Sequence, residues 1–280
     1  MKDVDESLFF SGKYKVGSIE TGFGGDALNE STVLRHFNED VKLITIVGED
    51  MYGDQIIRHL DELEIPYNAN IRKKGIATYI SMVFIDKDGQ RRFVGNENGS
   101  LRVFDLDDIM IDEDCRIVSF ASLFHSKRLD NAKLNILFKS IKEKDILLCA
   151  DCSNHKNNET IKDMDCLKYV DYFFCNELEA RQLCGEHDIE DLEKILYDAG
   201  IGNVIIKCAE KGCFYKGEYH ETEAVDCIDS TGAGDSFVAG FIEGLDKGLN
   251  IEETIRKANR YGSKACEYIG ATRWLDHYEG

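Results

Sequence analysis

Ile228-Asp229-Ser230-Thr231-Gly232-Ala233-Gly234-Asp235 is the stretch whose reading decides the fold. Phe237, Phe241 and Leu245 follow at intervals of four, with Val238, Ile242 and Leu249 beside them. That spacing predicts a helix beginning near Ala233 with one apolar stripe. The N–H groups of a first helical turn lack intrahelical acceptors, and the helix dipole adds partial positive charge there. Two glycines let a bulky anion reach those donors, so the stretch reads as an anion cradle with a carboxylate, Asp235, planted in it. A site that only holds phosphate gains nothing from that charge. One that moves a phosphoryl group onto a hydroxyl needs both donors for the transferring group and a base for the attacking oxygen. The eight residues alone leave a second reading open, an ordinary Gly-rich turn whose acid sits where helix N-termini favour acids.

The stretch closely resembles the Asp-Thr-x-Gly-Ala-Gly-Asp signature of the ribokinase (PfkB-type) carbohydrate kinases, with Ser230 in the usual threonine place. The resemblance implies that the amides of Gly232, Ala233 and Gly234 form an anion hole and that Asp235 is the catalytic base, in contact with the substrate. Gly24, Gly25 and Asn29 match a second family signature, Gly-Gly-x-x-x-Asn, which closes around a sugar. Asp26, between them, reads as a specificity residue or a helix N-cap, the cap being favoured. The same glycines lack the third glycine of a dinucleotide fingerprint, which argues against a Rossmann oxidoreductase.

Outward from these motifs, Ile117–Phe120, Ile146–Ala150, Val170–Cys175 and Val204–Cys208 read as short buried strands, with helical patterns at about 130–142 and 188–199. Alternation of this kind predicts an α/β doubly wound, mostly parallel sheet with helices on both faces over a single domain 1–280, and the resemblance implies that this is the ribokinase-like fold. Val41–Val47 reads as a further strand, then a helix over Gln55–Leu63 and a short strand near Ile65–Ile71. Gly48, Asp50 and Gly53 match a family pattern that generally serves structure. Thr78–Ile85 and Arg91–Val94 flank an Asp-Lys-Asp-Gly turn, a hairpin signal. In the family such a hairpin (about 76–96) joins strands near Tyr14–Ile19 (about 12–21) in a small β lid over the sugar, which also implies a homodimer through that lid. Family chains open with an apolar strand ending in a sugar-binding aspartate. Met1–Glu6 is charged instead, so that contact is expected to be missing, through a truncated or shortened start, or taken by Asp3 or Asp5.

Asn176 and Glu179 match the family's Asn-x-x-Glu, which organises Mg²⁺ and nucleotide phosphates. Lys207 to Gly212 stands in place of a nucleotide-flanking Thr-x-Gly-x-x-Gly, of which Gly212 survives, with Lys207 and Lys211 within possible reach of phosphates. The final helix, about Glu252–Glu267, carries Asn259 on its apolar stripe, at a position the family uses near adenine. Gly270-Ala271 resembles a closing turn that in some members holds a monovalent cation such as K⁺.

The bounds agree. At 280 residues, 43% hydrophobic and 31% charged, the chain suits a globular α/β domain. A net charge of −19 argues against nucleic-acid and anionic-membrane partners. No apolar run reaches membrane-span length and the start carries no signal peptide, giving a cytoplasmic expectation. The ten cysteines are scattered, and read as buried reduced thiols. The expected function is an ATP- and Mg²⁺-dependent kinase of a small sugar or sugar-like alcohol. The alternatives are a nucleoside kinase on the same fold and a catalytically idle sugar- or nucleotide-binding relative.

Overall fold

The computed structural model describes Gly17, Ile19 and residues 21–85, 91–96, 98–153 and 160–278. The expectations for Asp3, Asp5, the first lid strand near Tyr14–Ile19 and the turn at 86–89 fall largely or wholly outside those residues. In chain order the elements are α1 (Asp26–His36), β1 (Val47–Gly48), α2 (Met51–Glu62), β2 (Arg72–Lys73), β3 (Ser81–Ile85), β4 (Arg91–Gly95), α3 (Ser100–Val103) and β5 (Ile117–Leu123). They continue as α4 (Asn131–Lys142), β6 (Leu147–Cys152), β7 (Tyr172–Asn176), α5 (Glu177–Cys184), α6 (Ile189–Asp198), β8 (Val204–Lys207), β9 (Cys213–Tyr215), β10 (Glu218–His220), α7 (Ala233–Asp246) and α8 (Ile251–Cys266).

Among the described residues, six strands form one sheet in the order β10-β9-β8-β7-β6-β5. β5 to β8 run parallel, as the apolar strands predict, while β9 and β10 add an antiparallel edge. The side-chain period of two explains the layers. Phe173, Cys175, Val204 and Ile206 face a core shared with α4, α5 and α6. Phe174 and Ile205 face the opposite core, with Val33 of α1, Phe237 and Phe241 of α7, and Ile255 of α8. Both faces are covered, which is why these strands read as continuous apolar runs. Each fully buried Phe or Leu contributes about 1.5–3 kcal/mol of apolar burial.

The strand expected over Val41–Val47 is not regular. Leu43 forms a single bridge with Tyr67, and only Val47–Gly48 pairs as β1 with β2. The Thr45 N–H donates to the Asn68 side chain (2.9 Å) in place of a backbone carbonyl, and that substitution interrupts the ladder. The same break limits the strand expected near Ile65–Ile71 to that bridge and to β2. The helix α2 starts earlier than its apolar spacing suggests because Asp50 caps it, accepting from the Gly53 N–H (2.9 Å). Asp50 also accepts from the Thr78 N–H (2.7 Å) and Thr78 Oγ1 (2.6 Å), so this motif is structural, as expected. The hairpin β3–β4 is present, with Met82 and Phe93 exposed.

A buried charge network locks α7 to α8. Glu243, 1% exposed, accepts from Tyr261 Oη (2.6 Å), Lys257 Nζ (2.9 Å) and Lys247 Nζ. Burial alone would raise its pKa, but these donors outweigh burial and hold it below the usual glutamate value. Its stabilisation is therefore full above the unfolded-state pKa and is lost as pH falls through the lower folded-state value. Glu243→Ala, which leaves two lysines facing a buried gap, is expected to cost about 3–5 kcal/mol in urea unfolding at pH 7. The gap to wild type should narrow in acid.

Candidate active site

The N-terminus of α7 is shaped by the residues that precede it. Asp229 accepts from the Thr231 N–H (3.0 Å) and Oγ1 (2.7 Å) with one oxygen, and from the Gly270 N–H (2.9 Å) with the other. Gly232 is the N-cap at φ 75°, and a Cβ there would lie 2.5 Å from Ala271 Cα. So the Gly270-Ala271 turn is the floor on which the tip rests. Below it, Trp274 Nε1 donates to the buried Ser236 Oγ (3.1 Å). The N–H groups of Gly232, Gly234 and Asp235 have no acceptor among the described residues, whereas the Ala233 N–H, expected to join the anion hole, donates to the Ser230 carbonyl (3.3 Å). Here the sequence produces the free donors that an anion needs.

These donors open onto a cavity of 3060 Å³ that Gly24, Gly25, Asn29, Asn176, Glu179, Lys207, Gly212 and Asn259 also line. Its position beyond the carboxyl ends of the parallel strands is where open α/β sheets bind ligands. Asp235 lines it too, and its carboxylate accepts from Asn29 Nδ2 at 2.6 Å, across 206 residues of chain. Burial, helped by the charge of Asp26, pushes the Asp235 carboxyl up to about 7, against the opposing pull of Asn29 and Lys207. That value suits a base working near neutrality.

The expected cap at Asp26 is not observed. Gly25, at φ 111°, holds the N-cap position of α1 without a side-chain bond, and Asp26 is the first helical residue. Its carboxylate instead accepts a hydrogen bond from Ser122 Oγ. One turn on, the buried Glu30 accepts from Ser119 Oγ (2.6 Å), while its other oxygen has no partner, and burial raises its pKa well above the usual range. Ser122 and Phe124 take left-handed φ values of 56° and 72° at the end of β5, strain of the kind found around binding sites.

Asn176 and Glu179 form a capping box on α5. The Glu179 N–H donates to Asn176 Oδ1 (2.9 Å) and the Asn176 N–H to Glu179 Oε2 (2.8 Å). Burial raises the Glu179 pKa. Lys207, expected within reach of phosphates, is largely buried and paired. Its Nζ donates to both oxygens of the buried Asp151, each at 2.8 Å. Burial pushes the Asp151 carboxyl up to about 8 despite that lysine. Lys211 lies instead over the Tyr219 ring, 5.6 Å from its centroid. Asn259 donates to the carbonyls of His220 (2.8 Å) and Glu221 (3.3 Å), which ties α8 to the end of β10. Gly212, at φ 84°, turns the chain into β9 where a Cβ would strike the His220 carbonyl.

The site thus gathers the residues expected from both glycine motifs and the Asn-x-x-Glu. It adds Asp151, Glu30, Ser119 and Ser122, which no sequence motif singles out. A signal for Asp151 exists, an acid in the otherwise apolar run Leu147–Cys152.

Comparison with known proteins agrees. The pfkB family carbohydrate kinase model matches residues 2–277. The ATP-dependent 6-phosphofructokinase of Thermoanaerobacterium thermosaccharolyticum is 27% identical, covering 95% of this chain and 85% of its own. The ribokinase of Mus musculus is 25% identical, with 89% and 80% covered. Among solved structures, aminoimidazole riboside kinase from Salmonella enterica, complexed with aminoimidazole riboside and an ATP analogue, superposes with a TM-score of 0.79. It is 17% identical, and 94% of this chain and 92% of that one are covered. A signature at one helix tip, a partner asparagine two hundred residues away and a match along nearly the whole sequence lead to one statement: this chain belongs to the pfkB family of carbohydrate kinases.

Proposed function

We propose that this ATP-dependent sugar kinase phosphorylates a hydroxymethyl group of a small sugar or sugar derivative, with Asp235 as base. Gly24, Gly25 and Asn29 border the place where the alcohol would sit. The carrying observation is the Asp235 carboxylate, bonded to Asn29 and set in the same helix tip as the free N–H donors. In the reaction the bond from the γ-phosphorus to the bridging oxygen breaks and its electron pair leaves with ADP. The sugar oxygen forms the new bond to phosphorus, and its proton passes to Asp235. The N–H groups of Gly232 and Gly234 take the charge that spreads over the transferring oxygens.

The residues present fit Mg²⁺. After capping α5, Glu179 keeps one carboxylate oxygen, and among the described residues no three His, Cys, Asp or Glu side chains converge on a closed metal site. Mg²⁺ suits such an open set, since it keeps several waters and takes one or two carboxylates. Glu179 would hold it, with Asn176 orienting Glu179; when bound, the ion supplies positive charge to the phosphate oxygens.

ADP release measured across sugars, fructosamines and nucleosides tests this reading. The expected result is Mg²⁺-dependent release with a sugar or fructosamine. Release with nucleosides alone would replace the substrate class, and calorimetric sugar binding without any ADP release would make the protein a binding relative.

A further inference from the structure

Lys207 carries more than its ion pair requires. An ammonium has three protons in tetrahedral directions. Two go to the two oxygens of Asp151, and the third has no acceptor among the described residues. The lysine comes from the carboxyl end of β8 and its partner from β6, the two strands flanking β7, so the buried centre of the sheet fixes its position. Its Nζ lies 3.3 Å from where a Cβ on Gly234 would be, directly beside the second glycine of the helix tip, and no side chain stands between. Both Lys207 and Gly234 line the cavity.

We propose that Lys207 is a catalytic residue: its Nζ contacts the phosphoryl group in transit at the α7 tip and supplies a full positive charge there, while Asp151 is its positioning partner. This rests on the reading of the tip as the phosphoryl site.

Backbone amides carry only partial charges, whereas the field at this tip is dominated by acids. Asp235 of α7, Glu179 of α5, Asp151 of β6 and Asp26 of α1 all face one another here. A phosphoryl group entering that field needs a compensating cation. Burial alone would strip the Lys207 proton, but the charges of Asp151, Glu179 and Asp235 more than reverse that, so the side chain stays charged. A charge fixed in place beforehand needs no reorganisation during the reaction.

The test uses the whole chain and two readouts. One is steady-state turnover. The other is calorimetric binding of ADP with and without aluminium fluoride, a mimic of the phosphoryl group in transit, in Mg²⁺ buffer. Lys207→Met is expected to lower kcat about 10²–10³-fold, the scale for loss of one transition-state donor. The KM for sugar and the affinity for ADP alone should stay within about 3-fold. Wild type should bind ADP much more tightly with aluminium fluoride, and the variant should lose that tightening. Because Lys207→Met leaves Asp151 unpaired, Lys207→Met with Asp151→Leu removes the pair together and serves where the single variant does not fold. A folded single or double variant with wild-type kcat, or one slowed yet still tightened by aluminium fluoride, overturns the proposal. The calorimetric comparison needs no sugar. A wild type that phosphorylates nothing in the panel would therefore count against the substrate reading alone, and Lys207 would still be judged by the fluoride tightening.

Discussion

Asp235→Asn is expected to lower kcat by about 10³-fold, within the range for loss of a positioned general base, while ADP binding stays measurable. The same substitution should make the protein more stable at pH 8. In the folded chain this carboxyl holds its proton up to about pH 7, against an ordinary value of 3.8. A group that binds its proton more tightly when folded contributes stability below the unfolded pKa. That contribution is lost as pH rises from about 4 through 7, where the buried carboxylate must ionise. Asparagine never ionises, and its own amide oxygen can still accept from Asn29. A gain of about 2–4 kcal/mol at pH 8 follows, because each tenfold change in proton affinity between the folded and unfolded chain is worth about 1.4 kcal/mol. Urea unfolding at pH 5 and pH 8 checks it, since the gain should shrink at the lower pH. The activity of the wild type should follow the same group: kcat/KM rises with pH through an apparent value near 7, because only the ionised carboxylate takes the proton. Turnover close to wild type in Asp235→Asn would remove the base assignment. A stability loss at pH 8 would contradict the electrostatic account of its burial.

Gly232→Ala is expected to be the most damaging single methyl in the site. The residue sits at φ 75°, where an L side chain costs about 1–2 kcal/mol. The new Cβ would lie 2.5 Å from Ala271 Cα and 2.7 Å from its carbonyl oxygen, atoms of backbone that cannot swing aside. Either the tip or the 270–271 turn must move, and the turn is tied through Gly270 to Asp229, which also holds Thr231. A shift of about 1 Å in the N–H donors costs on the order of 10² in rate. Loss of about 2–4 kcal/mol of stability should accompany it, within the usual range for strained core substitutions. Gly234→Ala is the internal control. Its Cβ would meet no backbone atom, only Lys207 Nζ at 3.3 Å, and no left-handed φ is involved, so its effect on unfolding should be much smaller. Equal unfolding losses in the two variants would contradict the account of Gly232 as the N-cap packed against the 270–271 turn.

How much of the fold and site is legible in the sequence follows from which contacts are local. The helix α7, its glycine tip and Asp235 can be read because spacing and helix-end chemistry lie within one stretch. The four parallel strands can be read because both faces are buried, which leaves unbroken apolar runs. The partnership of Asn29 with Asp235 rests on family resemblance alone, since no local rule joins residues 206 positions apart. Lys207 can be placed within reach of phosphates from its sequence position, but its partner cannot be read there, because Asp151 lies 56 residues away on β6. Asp26 reads as a cap because the sequence does not show that the preceding glycine takes φ 111° and occupies that position. The segment Val41–Val47 looks like a strand because its residues are apolar, and only the tertiary placement of the Asn68 side chain breaks its ladder. The hairpin β9–β10 leaves little trace because each strand has three residues and its turn, Lys216-Gly217, is not a common turn pair.

The most direct measurement is a crystal structure of the chain with its sugar, ADP and aluminium fluoride. One acceptor hydroxyl is expected within about 2.6–3.2 Å of the Asp235 carboxylate, with the fluoride group on the N–H donors of Gly232 and Gly234. A hydroxyl held elsewhere in the cavity, with Asp235 still bonded only to Asn29 and the fluoride group away from the helix tip, would contradict the account.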